Sequence, residues 1–196
     1  MYLTQVPFME AFLVSSGVVA LAEIGDKSQL LVLALAARFR KPIPIILGML
    51  TATLLNHVLA AEAGAWLASM IGPLSIRLIL GLSFVGIAVW TLMSDKSGGA
   101  AAPAARFGVF GTTLIAFFLL EMGDKTQFAT IALAAHYDSL LAVIAGSTVG
   151  IMLADVPIVM LGTAAAHTLP MKSLHRMAPV MFLVLGVIIL LGIGAG

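Results

Sequence analysis

The sequence predicts an all-α integral membrane protein with six transmembrane helices arranged as two inverted three-helix repeats. Three observations carry this expectation. First, 61% of the 196 residues are hydrophobic and only 10% are charged, with a mean hydropathy of +1.14, the composition of a polytopic membrane protein. Second, apolar runs of about 20 residues or more, enough to cross a bilayer, recur near 9–37, 42–69, 74–94, 107–135, 139–168 and 177–195. Third, shifting the chain by 98 positions lays 23–39 on 121–137 with nine of 17 residues identical.

Each run has a plausible end. Arg38-Phe39-Arg40-Lys41-Pro42 closes the first and Gly72-Pro73 the second. The third gives way to Asp95–Arg106, rich in Gly and Ala and holding Pro103, which reads as the linker. His136-Tyr137-Asp138 and Pro170-Met171-Lys172 close the fourth and fifth. Several runs exceed the bilayer thickness, so tilt or kinks are expected. The domain boundaries that follow are 1–94 for the first repeat, 95–106 for the linker and 107–196 for the second repeat. The same shift pairs Gly48 with Gly146, Gly64 with Gly162, and His57 with Asp155. Three spans is an odd number, so the second copy enters from the opposite side. That is the inverted-repeat plan of secondary transporters, whose sites lie near the midplane at the repeat interface.

Charge sets the expected orientation. Arg38, Arg40, Lys41, Lys96, Arg106, Lys172 and Arg176 fall on the loops joining spans 1–2, 3–4 and 5–6, against Arg77 alone on the other side. The positive-inside rule places those three loops in the cytoplasm and both termini outside. No Lys or Arg precedes Lys27, which argues against a cleaved signal peptide. A net charge of +1 without a basic cluster gives no reason to expect nucleic acid as a partner, and the absence of cysteine removes disulfides and thiolate metal sites. The expected partners are the lipid bilayer and the transported ions, with no bound cofactor; a homo-oligomer is compatible with the sequence.

The chemistry sits in two motifs in the middle of apolar runs. Residues 23–29 read Glu-Ile-Gly-Asp-Lys-Ser-Gln and residues 121–127 read Glu-Met-Gly-Asp-Lys-Thr-Gln. A charge at the bilayer centre costs about 2.5–3.5 kcal/mol on insertion scales, so six in a duplicated pattern point to a site. On a continuous helix Glu23, Asp26 and Lys27 share a face, with Gln29 extending the stripe; Glu121, Asp124, Lys125 and Gln127 repeat it. If the stripes face each other, four carboxylates and two amide oxygens converge, and hard divalent cations bind such oxygen sets. Gly25 and Gly123 could loosen the helix and free backbone carbonyls. The four carboxylates and two lysines sum to −2, which one divalent cation neutralises, as do two protons in its absence. This is the minimal chemistry of a cation/proton antiporter. The bland alternative is structural ion pairing between helices. For Lys27 and Lys125 taken alone, holding the carboxylates in place is the favoured role.

Weaker polar positions accompany the motifs. Asn56, His57 and Asp155 lie mid-helix, as an accessory proton relay or second layer around the site, or as simple packed polar contacts. Glu62 could line an access path, and Glu10 is expected to cap or flank the first helix. Gly146-x-x-x-Gly150 reads as close helix packing. The 11 methionines form no cluster and read as packing.

The doubled Glu-x-Gly-Asp-Lys-[Ser/Thr] signature, in a six-span chain of this length, resembles the transmembrane protein 165 family, which is grouped with the lysine-exporter superfamily. The resemblance covers essentially the whole chain, with both motifs and the inverted repeat. It implies export of Mn²⁺ or Ca²⁺ from the cytoplasm in exchange for protons. The signature acids map onto Glu23, Asp26, Glu121 and Asp124, and Lys27, Lys125, Ser28 and Thr126 fill the remaining signature positions. The compact chain without an organellar transit peptide looks bacterial, hence an inner-membrane protein, and manganese efflux is the role of bacterial members that the resemblance favours. His57 would favour Mn²⁺ if it reached the ion, since imidazole suits transition metals. Competing expectations are a Ca²⁺/H⁺ antiporter, an exporter of a cationic organic solute such as a basic amino acid, a passive channel, and an intramembrane aspartic protease using Asp26 and Asp124. A Lys following each Asp weighs against the last, and no enzymatic activity is expected.

Overall fold

The computed structural model describes residues 5–71, 73–93, 107–161 and 171–191, with side chains omitted at 5–7, 73, 76–77, 91–93, 171–178 and 181. The linker 95–106, the charges Lys96 and Arg106, and Gly162 lie outside the described residues, as do the side chains of Arg77, Lys172 and Arg176.

The described chain is entirely helical: α1 (Gln5–Glu23), α2 (Lys27–Phe39), α3 (Pro42–Met70), α4 (Pro73–Met93), α5 (Gly108–Glu121), α6 (Lys125–His136), α7 (Leu140–Leu161) and α8 (Met171–Leu191). Pro42 opens α3 at a first-turn position, where its missing N–H costs nothing. Arg40 ends α2 in the left-handed conformation, φ 51°, with its N–H donating to the Ala36 carbonyl. The sixth expected span, α8, starts at Met171 rather than at 177, with Pro179 inside it.

Among the described residues α3 and α7 are each long and apolar enough to cross a membrane. Phe8–Glu23 and Lys27–Phe39 qualify only together, bent by 73° at their junction. The first and fourth expected spans are therefore not continuous helices, and the i, i+3, i+4 stripe of the motifs does not form. The physical reason lies at Gly25 (φ +81°) and Gly123 (φ +77°), whose left-handed backbone stops α1 and α5 before α2 and α6 begin. Outside these breaks the helices are held by close approach. A Cβ on Gly48 would lie 2.8 Å from the Phe110 carbonyl oxygen and 2.9 Å from Thr113 Cβ. Its repeat counterpart Gly146 meets the Phe12 carbonyl oxygen and Ser15 Cβ, the positions 98 residues earlier than Phe110 and Thr113. Gly150 packs on the Ser16 carbonyl oxygen, so the Gly146-x-x-x-Gly150 pattern is a backbone contact of α7 with α1.

Most packing partners obey the same correspondence; the contacts of α4 with α6 and of α1 with α8 have no counterpart of similar extent. α1 packs on α7 and α5 on α3; α6 packs on α3 and α2 on α7; α1 meets α6 and α5 meets α2; α3 lies on α7, and α4 on α8. The bundle is inverted in polarity relative to a soluble protein. Leu54, Leu55, Leu59, Leu153, Leu183 and Val184 face outward, while Ser15, Glu23, Thr53, Asn56, His57, Glu121 and Asp155 are buried. Such a surface is stable in hydrocarbon and not in water.

Candidate functional site

Both motifs are built the same way, from the break outward. Glu23 ends α1, Gly25 turns the chain, and Asp26 caps α2 in extended conformation (φ −81°, ψ 173°). Glu121 ends α5, Gly123 turns the chain, and Asp124 caps α6 (φ −81°, ψ 167°). Each turn is braced twice. Asp26 N–H donates to the Glu23 carbonyl at 3.0 Å, and Asp124 N–H to the Glu121 carbonyl at 3.1 Å. Gly25 N–H donates to Gln29 Oε1 at 2.8 Å, and Gly123 N–H to Gln127 Oε1 at 2.7 Å. The amide oxygens of Gln29 and Gln127 thus hold the breaks rather than pointing free into a cation site. The Gly-x-x-x-Gln spacing, present in both copies, is the signal in the sequence for this brace.

The hydroxyls support the glutamates. Ser28 Oγ donates to Glu23 Oε1, and Thr126 Oγ1 donates to Glu121 Oε2 at 3.0 Å. Glu23 is fully buried, and its Oε2 has no hydrogen-bond partner among the described residues. Glu23, Glu121, Asp155 and Asp26 lie within electrostatic reach of one another. Among the described residues a short ion pair joins the two halves: Lys125 Nζ lies 2.8 Å from Asp26 Oδ2, the two side chains only 10% and 11% exposed. Asp26 Oδ1 also accepts the Lys27 N–H at 2.6 Å. Lys27 itself is exposed, and among the described residues its ammonium has no ion-pair partner. Asp124 makes no side-chain cap, and its Oδ2 is buried without a hydrogen bond.

The accessory positions surround this cluster. Asn56 Nδ2 donates to the Phe118 carbonyl at 3.1 Å, tying α3 to α5 near Glu121. Gln29 Nε2 lies 3.4 Å from the Ala154 carbonyl, bringing α2 against α7 beside Asp155. Ala154 is 98 positions beyond Asn56, so one end of each cross-link falls at a repeat-related position, while the other ends, Phe118 and Gln29, do not correspond. Asp155 is fully buried, with the Gln29 amide as a side-chain neighbour. His57 turns instead to Thr148, with Nδ1 3.4 Å from Oγ1; Thr148 was not singled out by the sequence. Glu10 lies inside α1 rather than capping it, with Tyr137 Oη 3.4 Å from its Oε1. Glu62 is exposed on α3.

Among the described residues no three His, Asp or Glu side chains already converge as a metal-binding group. The ammonium of Lys125 stands where the two halves meet. Around it the donors are all oxygens, and the ends of α1 and α5 present the negative pole of their helix dipoles. This is the half-helix construction by which membrane transporters hold cations.

An α-helical bundle with an apolar exterior and duplicated acidic breaks inside defines a multi-pass membrane transporter for a cation. The comparisons with known proteins specify it further. The family model described as "Divalent cation/proton antiporter GDT1" matches residues 11–99 and 109–195. The chain belongs to this family of divalent cation/proton antiporters. A protein of Vibrio cholerae serotype O1 (strain ATCC 39541 / Classical Ogawa 395 / O395), provisionally named a manganese exporter, is 45% identical over 178 residues, which is 90% of this chain and 88% of its own. No solved structure matches the chain. Family and relative are transporters, so the protein is a transporter and not an enzyme, and the protease alternative falls.

Proposed function

We propose that this protein exports Mn²⁺ from the bacterial cytoplasm across the inner membrane in exchange for protons, through one site shared by the two motifs. Glu23, Asp26, Glu121 and Asp124 supply the carboxylates. Ser28 and Thr126 orient the glutamates, Gln29 and Gln127 brace the breaks, and Asn56, His57 and Asp155 form the surrounding polar layer. Lys125 neutralises Asp26, and Lys27 is its counterpart in the first motif. The six spans form two inverted repeats, 1–94 and 107–196, joined by 95–106. The loops between spans 1–2, 3–4 and 5–6 are cytoplasmic, and both termini lie outside.

The observation that carries this reading is the contact of Lys125 with Asp26, which brings the second motif against the first inside the bundle. A buried carboxylate pair that must remain paired or protonated suits an exchange of a divalent cation for protons. The exchanged helix partners support a two-fold relation between the halves. Manganese is the cargo named for the Vibrio relative. Ca²⁺ is the second reading, favoured by one observation: His57 is engaged with Thr148, leaving an oxygen-only donor set at the motifs.

The test is flux in proteoliposomes holding the purified protein, with Mn²⁺, Ca²⁺ and Mg²⁺ offered separately under an imposed pH gradient. Gradient-driven Mn²⁺ flux that disappears in Glu23→Gln is expected. Flux with Ca²⁺ alone would change the cargo and keep the mechanism. Flux indifferent to the proton gradient would mean a channel or uniporter. Flux of a basic amino acid and of no metal would make it an organic-cation exporter.

A further inference from the structure

The two lysines of the duplicated motif are identical in sequence context and opposite in circumstance. Lys125 is buried and bound to Asp26 across the halves, whereas Lys27 is exposed with no ion-pair partner among the described residues. The aspartates divide in the same way. Asp26 holds both the Lys27 N–H and the Lys125 ammonium, whereas among the described residues Asp124 makes no ion pair and turns its side chain to Asp26 instead. Local backbone does not explain the difference. The glycine turns, the aspartate dihedrals and the Gly–Gln braces match between the breaks. What differs is how one half sits against the other.

We propose that Lys125 is a tethered stand-in for the transported cation, holding Asp26 in the empty carrier, and that Lys27 takes Asp124 in the same way when the carrier faces the other side. This rests on the shared-site reading given under Proposed function. The physical logic is that a buried carboxylate needs a positive partner in every state. An incoming divalent cation displaces the ammonium from Asp26. Departure of the cation lets a lysine return, so the empty site never crosses the membrane as bare carboxylates. Exchange of the positions of two similar halves converts the Lys125–Asp26 pair into a Lys27–Asp124 pair, because the residues at the two breaks correspond one for one. The lysines are thus positioning residues for the exchange and competitors of the cargo.

Competition and mere support make opposite predictions for binding. A bound state that excludes the cargo lowers its apparent affinity by the fraction of protein in that state. Lys125→Gln in nanodiscs is therefore expected to bind Mn²⁺ tighter than the parent by about tenfold while transporting more slowly, and Lys125→Arg is expected to return the affinity to that of the parent. Weaker or unchanged Mn²⁺ binding in Lys125→Gln overturns the proposal. The second arm uses the cysteine-free background and a position exposed enough to tolerate change. Lys27→Cys is expected to lose transport and to regain it with 2-aminoethyl methanethiosulfonate, which leaves an ammonium on a mixed disulfide and releases methanesulfinate. It is expected to stay inactive with the neutral methyl reagent. Transport by unmodified Lys27→Cys, or equal rescue by the neutral reagent, overturns the proposal even if Lys125→Gln does not fold. A parent protein that binds neither Mn²⁺ nor Ca²⁺ overturns the shared site itself, and the stand-in with it; a parent that binds, with Lys125→Gln no tighter, overturns only the stand-in.

Discussion

The two motifs are nearly the same structure in two different situations. At each break a left-handed glycine ends one helix, an aspartate begins the next, a glutamine four residues on braces the turn, and a hydroxyl holds the glutamate. Yet among the described residues Asp26 is ion-paired and Asp124 is not. The likeness shows that each half carries its own rigid local geometry. The unlikeness shows that the charge state of the centre is set by the packing of one half on the other, a quantity that two identical sequence motifs cannot express.

The sharpest break in the likeness should be stability. Asp26→Asn removes the ion-pair partner of the buried Lys125 ammonium and should lower folding stability by about 3 kcal/mol, whereas Asp124→Asn leaves that pair in place and removes one of two carboxylates that meet each other, and should cost less than about 1 kcal/mol or stabilise. Denaturation of the two detergent-solubilised variants measures this; equal losses would mean the ion pair contributes nothing net. Close approach is where the halves should behave alike. Gly48→Leu and Gly146→Leu each drive a side chain into a neighbouring backbone and should destabilise by about 1–3 kcal/mol apiece. One tolerated and one not would show that the α3–α5 and α1–α7 contacts differ in kind.

Smaller effects sharpen the comparison at the turns. Gly25→Ala and Gly123→Ala should each cost about 1–2 kcal/mol, because a Cβ disfavours the left-handed backbone. At Gly123 no atom lies within 4 Å of the added Cβ, so its cost is conformational alone, and unchanged melting there would mean that the turn relaxes. Least of all, Ser28→Ala and Thr126→Ala should each remove about 1 kcal/mol of support from a glutamate, seen as modestly slower flux in both. An effect at one hydroxyl and none at the other would separate the roles of Glu23 and Glu121.

Much of this architecture is legible in the chain. The acidic motifs stand out because charges in apolar runs need a reason, and the shift of 98 carries down to the partners of Gly48 and Gly146. Gly25 and Gly123 are visible as weak points, but a helical stripe through Glu23, Asp26 and Lys27 presumes a continuous helix. Three residues around glycine suffice to end it, which moves the aspartates from a helix face to helix starts. Gln29 and Gln127 look like ligands by composition, and their backbone partners appear only once the turn exists. His57 looks available for a metal until α7 brings Thr148 to it. The Lys125–Asp26 pair could not be read at all, because Lys27 has the same neighbours in sequence and a different one in space.

The central claim is a single site shared by both motifs. Its most direct test is the stoichiometry of Mn²⁺ binding to the purified parent, Glu23→Gln and Glu121→Gln, followed by calorimetry in nanodiscs. The account predicts one ion per chain in the parent and loss of binding by more than about 100-fold in either variant. Two ions per chain, with each variant losing one and keeping the other, would contradict it.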